Sequence, residues 1–452
     1  MVRDNKEHDP RSTLGECSVP HVDYYGEITK KLEQGIGQTL YDFFLTKVRH
    51  LAHPCLMGYG MYGKRILHDL LATGNHVDCV CDNNWQALVS AGAPIPVLSV
   101  EQAVAESGPE CVFVITTPQY ALPMAKQLLE LGIPFQHILA FDMAVTAEYH
   151  AQLPHQDIAE VVSLMHQAAG QPYPAIQDPV TYNEHIMHDM IQLPQPKLFT
   201  LLADKLRVRD WVAERIGGQY LVPLVGAWAS VDNVPFESLP KRCVLKANHG
   251  SGWNIIVNEE HPLDIAGAKA KLGTWLHTNF AYLQYEMQYR DIPPRIICEE
   301  YLDNGEDIYD YKVFCFHGRP QYVMFLCNRQ KGLEMAFYDL EWHKMPFVYS
   351  YLMYQGKVPR PARLTEMLNL SEKLAQGLAQ VRVDWYIPSD GSLRFGEMTL
   401  TSCAGHADWR PAEWDRKLGE MMDRCVFEST RGGAYFCVDS QLEIWGASRE
   451  AA

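Results

Sequence analysis

Lys246 stands at the end of an apolar run, and a glycine-rich turn follows it: Val244-Leu245-Lys246-Ala247-Asn248-His249-Gly250-Ser251-Gly252-Trp253-Asn254. Backbone N–H groups at Gly250, Ser251 and Gly252 can come close to phosphate oxygens, and Lys246 offers a point charge to the same group. This is not a Walker A loop, where the lysine follows the glycines and opens a helix. The alternative is an ordinary glycine-rich hairpin. A second pattern pairs Val381-Arg382-Val383-Asp384-Trp385 with Phe395-Gly396-Glu397-Met398-Thr399. Strand alternation puts Arg382 and Asp384 on one face, and Glu397 and Thr399 on one face of the partner. Two carboxylates on adjoining strands can bridge magnesium ions on a triphosphate. The alternative is a pair of surface carboxylates, although the apolar flanks Val381, Val383, Phe395 and Met398 favour a pocket. A third pattern, Ile296-Ile297-Cys298-Glu299-Glu300-Tyr301, is an apolar strand running into acids. It suits a nucleotide hinge, where backbone groups read adenine and a carboxylate holds the adenine amino group or ribose hydroxyls.

Nearer the N-terminus, Gly58-Tyr59-Gly60-Met61-Tyr62-Gly63 follows a short strand and precedes a helix, and Asp82 ends the next strand. The pattern fits a dinucleotide fingerprint, with phosphate at the helix N-terminus and the acid on a ribose. A glycine turn used for packing alone is the alternative. No Ser-His-Asp or Cys-His signature stands out. His249 is either a substrate contact or loop filler, and filler is favoured. His185 and His188 lack the glutamate of a zinc-protease helix and read as a solvated face.

The elements that must position these residues change character along the chain. Residues 1–50 read as a loose tail followed by one helix over 27–50. Over 51–145 strands and helices alternate, which predicts a small parallel, Rossmann-like domain binding a nucleotide or sugar-nucleotide. Residues 146–200 are rich in His, Gln and Pro and read as a helical linker. Residues 201–430 alternate helices with several strand pairs, predicting an α+β domain with antiparallel sheets. Residues 431–452 read as a tail.

Composition narrows the classes. Of 452 residues, 47% are hydrophobic, enough for sizeable cores. A formal charge of −16 is a poor match to nucleic-acid binding by phosphate neutralisation. Twelve cysteines with no C-x-x-C argue against a zinc site or disulfide framework and fit a reducing cytoplasm. The first thirty residues contain no apolar signal segment, and no run approaches the roughly 18 apolar residues of a membrane span. The expectation is a cytoplasmic protein with no transmembrane segment.

In their order along the chain, these patterns resemble an ATP-grasp fold, and most closely the TupA-like ATP-grasp family linked to bacterial polysaccharide and teichuronopeptide biosynthesis. The carrying stretches also include Asp204-Lys205, Val208-Arg209-Asp210-Trp211-Val212 and Asp310-Tyr311-Lys312-Val313-Phe314. The resemblance implies ATP and Mg2+ as cofactors. It implies phosphate contacts for Lys205 and Lys246, a lid at Gly250, Ser251 and Gly252, and an adenosine pocket at Glu299, Glu300 and Tyr301. Lys312, Arg329 and Arg382 would balance charge during transfer, and Asp384 and Glu397 would hold magnesium. Many family members carry asparagine where this chain has Thr399, so a second metal there would rest on a hydroxyl. The implied activity is an acyl-phosphate ligase joining a small-molecule or glycan carboxylate, such as a uronate, to an amine or amino acid, alongside polysaccharide biosynthesis enzymes. A sugar kinase and a non-catalytic nucleotide-binding subunit are the competing readings.

Overall fold

The computed structural model describes residues 24–422 except 91–92, 195, 303–309 and 328–331. Two helices, Tyr24–Ile36 and Leu40–Arg49, stand where one was expected. Gly37 takes a positive φ of 80°, which stops the first helix. The Thr39 side chain then caps the second by accepting the Asp42 N–H.

Five parallel strands follow: β1 (His53–Met57), β2 (Cys79–Cys81), β3 (Val97–Leu98), β4 (Cys111–Ile115) and β5 (Ile138–Ala140). Their order, β3-β2-β1-β4-β5, is that of a Rossmann sheet without its sixth strand. Both faces are covered, as a parallel sheet requires. Leu56, Val80 and Val114 pack to one side, while Cys55, Met57, Phe113 and Ile115 pack to the other. Cys79 and Cys81, two apart on one strand, share a face, with their sulfurs 3.1 and 3.7 Å from that of Cys55.

The remaining strands form antiparallel and mixed sheets. The smaller contains β6 (Leu224–Trp228), β7 (Cys243–Ala247), β8 (Asn254–Val257) and β9 (Ile296–Glu300), ordered β6-β9-β7-β8. The helix Ile265–His277 covers it, packing Ala268, Leu272 and Trp275 against Leu245, Ala247 and Cys298. The larger sheet contains β10 (Asp310–Phe316), β11 (Arg319–Cys327), β12 (Glu334–Tyr338), and, beyond the short β13 (Val348–Tyr349), β14 (Leu352–Met353), β15 (Gln380–Tyr386) and β16 (Arg394–Thr399). Its order is β14-β12-β11-β10-β15-β16, and β13 pairs instead with β17 (Trp409–Arg410).

One face of the larger sheet, with Val313, Cys315, Val381 and Val383, packs on the helix Leu364–Ala375. The same core takes Ile158 and Val161 from the helix His155–Ala168 and Met187 from the helix Tyr182–Gln192. On the other face, Phe314 and Phe316 meet Tyr182 and Trp409. Alternation continues that second face to Lys312, Arg382 and Asp384, so it is apolar at one end and charged at the other.

The five-stranded unit meets the rest through the helix Ile265–His277. Phe135 lies where a side chain on Gly273 would be, and its ring stacks on His277 at 5.3 Å between centroids. Lys126 pairs with Asp264 at 2.6 Å.

The glycines of the Gly58–Gly63 turn differ in what holds them. Gly58 has a φ of +95°, and a Cβ on Gly63 would lie 2.0 Å from the Gly58 carbonyl oxygen. Gly60 has a φ of −71° and open space around it. Gly63→Ala is therefore expected to cost about 1–3 kcal/mol by overpacking against rigid backbone. Gly60→Ala should stay within about 1 kcal/mol of the parent, since no contact opposes its side chain. Urea unfolding of the two variants checks the contrast.

Candidate active site

Antiparallel pairing puts Lys312 of β10 directly opposite Asp384 of β15. The two side chains form a short ion pair. Arg382, two residues before Asp384, folds its guanidinium onto both carboxylate oxygens, at 2.7 and 2.8 Å. Its second nitrogen also donates to Glu397 at 3.2 Å and Thr399 at 2.9 Å on β16. The Thr399 hydroxyl donates to Glu397 at 3.0 Å. Asp384 is 2% exposed, and Lys312 and Arg382 are each 8% exposed, so one buried carboxylate answers two buried cations. Burial pulls the Lys312 ammonium below its ordinary range, with Asp384 opposing. Burial works against the Arg382 charge as well, but Asp384 holds it firmly protonated. For Glu397, burial would raise the carboxyl; Lys205, Lys312 and Arg382 together outweigh it and hold the group at about 2.

The smaller sheet faces this cluster with a second set. Lys246 on β7 donates to Glu299 on β9 at 2.6 Å. Arg209, from the helix Val208–Ile216, reaches the other Glu299 oxygen at 2.8 Å. Lys205 lies in the turn before that helix. Its ammonium donates to the Gly250 carbonyl at 2.6 Å and lies 3.9 Å from Glu397, linking the two sheets.

Asn248 fixes the junction. Its amide donates to Asp204 at 2.9 Å and Pro293 at 3.1 Å, its oxygen accepts from the Arg295 N–H at 2.6 Å, and its carbonyl accepts from the Lys205 N–H at 3.0 Å. Beside it, His249 is buried between Asn248 and the Trp275 carbonyl, 2.9 Å away, and burial keeps its imidazole below the ordinary range. It fills the loop. Gly252, at a φ of +71°, closes the turn, and Ser251 is exposed beside it.

Lys205, Lys246, Lys312, Arg382, Glu299, Asp384, Glu397, Thr399 and the turn Gly250–Gly252 thus form one linked charged region. Glu299 serves there as the counter-ion of Lys246 and Arg209. Glu300 is exposed and, by strand alternation, points to the opposite face. Tyr301 packs under the Arg242 guanidinium, 4.9 Å from the ring centre. Arg329 lies outside the described residues. Gly58, Gly60, Gly63 and Asp82 belong to the separate five-stranded sheet. There Asp82 accepts the Tyr59 and Asn84 N–H groups, both at 2.8 Å, so its carboxylate closes the glycine turn itself.

Sequence reasoning missed Arg209 and Asn248 as site residues, although both lie within the stretches singled out. It also missed Glu286, Gln288 and Thr401, which meet in a buried network. The Thr401 hydroxyl donates to Glu286 at 2.5 Å, and the Gln288 amide donates to Thr401 at 2.6 Å. The loop beyond Thr401 is strained: Cys403 and Ala404 have φ of 52° and 49°, and Gly405 follows at 75°. Asn183 holds that loop by donating to the Ala407 carbonyl at 2.7 Å, and Asp415 in turn accepts the Asn183 N–H at 2.9 Å.

Among the described residues, no group of three or more His, Cys, Asp or Glu side chains is placed to hold a metal. Asp384 and Glu397 offer two carboxylates, and Thr399 a hydroxyl. These are hard oxygen donors of the kind magnesium takes when phosphate oxygens complete its shell. No helix among the described residues is long and apolar enough to cross a membrane.

Asp384→Asn keeps size but strands Lys312 and Arg382 without their buried counter-charge. Removing one partner of a buried ion pair costs about 3–5 kcal/mol. The nucleotide-free variant should therefore melt well below the parent. Thermal unfolding without ligand checks it.

Comparison with known proteins identifies the family. The family model described as TupA-like ATPgrasp matches residues 185–423. No curated protein sequence matches the chain. Among solved structures, N5-carboxyaminoimidazole synthetase from Staphylococcus aureus is similar at 14% identity, over 77% of this chain and 70% of that one, with a TM-score of 0.27. The ATP-grasp ligase PsnB complexed with minimal precursor is similar at 11% identity, over 82% and 97%, with a TM-score of 0.31. The matched stretch covers more than half of the 452 residues and contains every member of the charged region, and the chain belongs to the TupA-like ATP-grasp family.

Proposed function

We propose that the protein is an ATP-dependent carboxylate–amine ligase that works through an acyl phosphate. The observation that carries this reading is the convergence of Lys246, Lys312 and Arg382 from two sheets, and of Lys205 from a helix-flanking turn, onto Asp384, Glu397 and Glu299. With Arg209 on Glu299, five cations surround these three carboxylates and leave room for more negative charge, and a triphosphate supplies it. Lys246 and Lys205 bind the phosphates from the small-sheet side, under the turn Gly250–Gly252. Lys312 and Arg382 hold the transferring phosphoryl group from the large-sheet side. Asp384, Glu397 and Thr399 would hold magnesium, which neutralises phosphate charge when bound.

Without nucleotide, Glu299 keeps Lys246 in place and Asp384 keeps Lys312 and Arg382 in place. The cations then meet the phosphates with little rearrangement, and such preorganisation is the main source of catalysis in phosphoryl transfer. The substrate carboxylate attacks the γ-phosphorus, the bond to the β-phosphate oxygen breaks, and ADP leaves. An amine then displaces phosphate from the acyl carbon. No protein nucleophile takes part. The carboxylate we favour is a glycan uronate and the amine an amino acid, in surface-polysaccharide synthesis in the cytoplasm, where ATP is at hand.

A phosphate-release screen with ATP and magnesium over uronates, sugar nucleotides and amino acids tests the reading. Phosphate release that needs both a carboxylate and an amine supports it. Transfer of phosphate to a sugar hydroxyl without phosphate release makes the protein a kinase.

Lys246→Ala should lower turnover by roughly 10²–10³-fold, or about 3 kcal/mol, by analogy with removal of one transition-state donor. Turnover like that of the parent at saturating ATP would remove Lys246 from the site. Glu397→Gln should shift the magnesium requirement upward; overlapping titrations of variant and parent would mean that Glu397 is no ligand.

A further inference from the structure

Glu286 has no part in the scheme above, yet it is a buried carboxyl beside the charged region. It follows Tyr285, whose φ of +59° turns the chain sharply, and it is 6% exposed. Thr401 and Gln288 are its hydrogen-bond partners, the Gln288 amide at 3.4 Å. Lys205 and Glu397 act on it electrostatically, and Glu286 and Glu397 both act on the buried phenol of Tyr289. Thr401 stands two residues after Thr399, so the network is tied to the end of β16 that carries Glu397 and Thr399. Burial pushes the Glu286 carboxyl up to about 7, against the pull of Thr401, Gln288 and Lys205. Gln288 is 1% exposed, and its amide oxygen is buried without a hydrogen-bond partner. An orphaned acceptor of this kind is unfavourable unless something donates to it.

We propose that Glu286, Gln288 and Thr401 form the amine subsite: the ammonium of the attacking substrate donates to the Glu286 carboxylate and the Gln288 amide oxygen, and Glu286 takes its proton. The proposal rests on the ligase reading. The freed amine lone pair forms the C–N bond at the acyl carbon, and the C–O bond to phosphate breaks with its electron pair on the leaving oxygen. The second proton lost from nitrogen goes to that phosphate. The network accommodates both states of Glu286. Ionised, it accepts from Thr401, which accepts from Gln288. Protonated, it donates to the Thr401 oxygen, and after a half-turn of the Gln288 amide the Thr401 hydroxyl donates to the amide oxygen. Such a turn is about a soft terminal torsion.

The test compares two nucleophiles on the full chain, with ATP, magnesium, and glucuronate, galacturonate or oligogalacturonate as the carboxylate. Ammonium is charged at neutral pH and needs a base. Hydroxylamine is mostly uncharged there and needs none. Hydroxamate is read by its ferric colour and amide by mass. Glu286→Gln should lower the ratio of ammonium to hydroxylamine rates at least tenfold, and Gln288→Met should raise the ammonium KM severalfold more than the hydroxylamine KM. Either variant suffices if the other fails to fold. An unchanged ratio in the variants means that the network is structural and overturns the inference alone. So does a parent enzyme that uses hydroxylamine but not ammonium. No hydroxamate from the parent with any of the three carboxylates overturns the ligase reading and the inference together.

Discussion

Two cations and one carboxylate share a few ångströms of a buried sheet face, and much of the structure answers that imbalance. Asp384 cannot leave Lys312 or Arg382 unpaired without a penalty of several kcal/mol. Glu397 and Thr399 share one guanidinium nitrogen of Arg382 with Asp384, and Lys205 reaches in from the turn before the helix Val208–Ile216 to meet Glu397. The arrangement tolerates, and electrostatically favours, additional negative charge.

Residues two apart on one strand were the most legible part. Arg382 with Asp384, and Glu397 with Thr399, follow from period-two alternation alone, and the structure seats both pairs in one cluster. The lysine ahead of a glycine turn was equally plain, as was the Rossmann alternation of residues 51–145. What was not legible depends on long-range closure. Arg209 and Glu299 are far apart in sequence, and nothing local announces their pairing. Glu286 and Gln288 sit in an aperiodic segment, and only the left-handed turn at Tyr285 brings them to Thr401. The helix break at Gly37 was visible in principle, since glycine followed by a threonine cap is a stop-and-start signal, but the apolar period across it is continuous enough to hide it.

The glycine turn of the N-terminal sheet shows how one motif can serve different ends. Its last glycine is required by a backbone contact, its first by a left-handed φ, and its acid by the turn's own N–H groups. Packing alone accounts for each of these features. The middle glycine, open on all sides, is the position where packing is silent.

The left-handed run at Cys403 and Ala404 has a consequence for regions remote from the chemistry. Two non-glycine residues in that conformation store roughly 1–3 kcal/mol each. Asn183 and Asp415 keep the spring compressed from helices on the far side of the loop. Thr401 and Ser402 ride on the near end of it, with Ser402 within reach of Arg382. The helix Glu413–Met422 therefore acts as a tensioner: slackening it would let the loop relax and would shift Thr401 and Ser402 without a single change in the charged cluster itself.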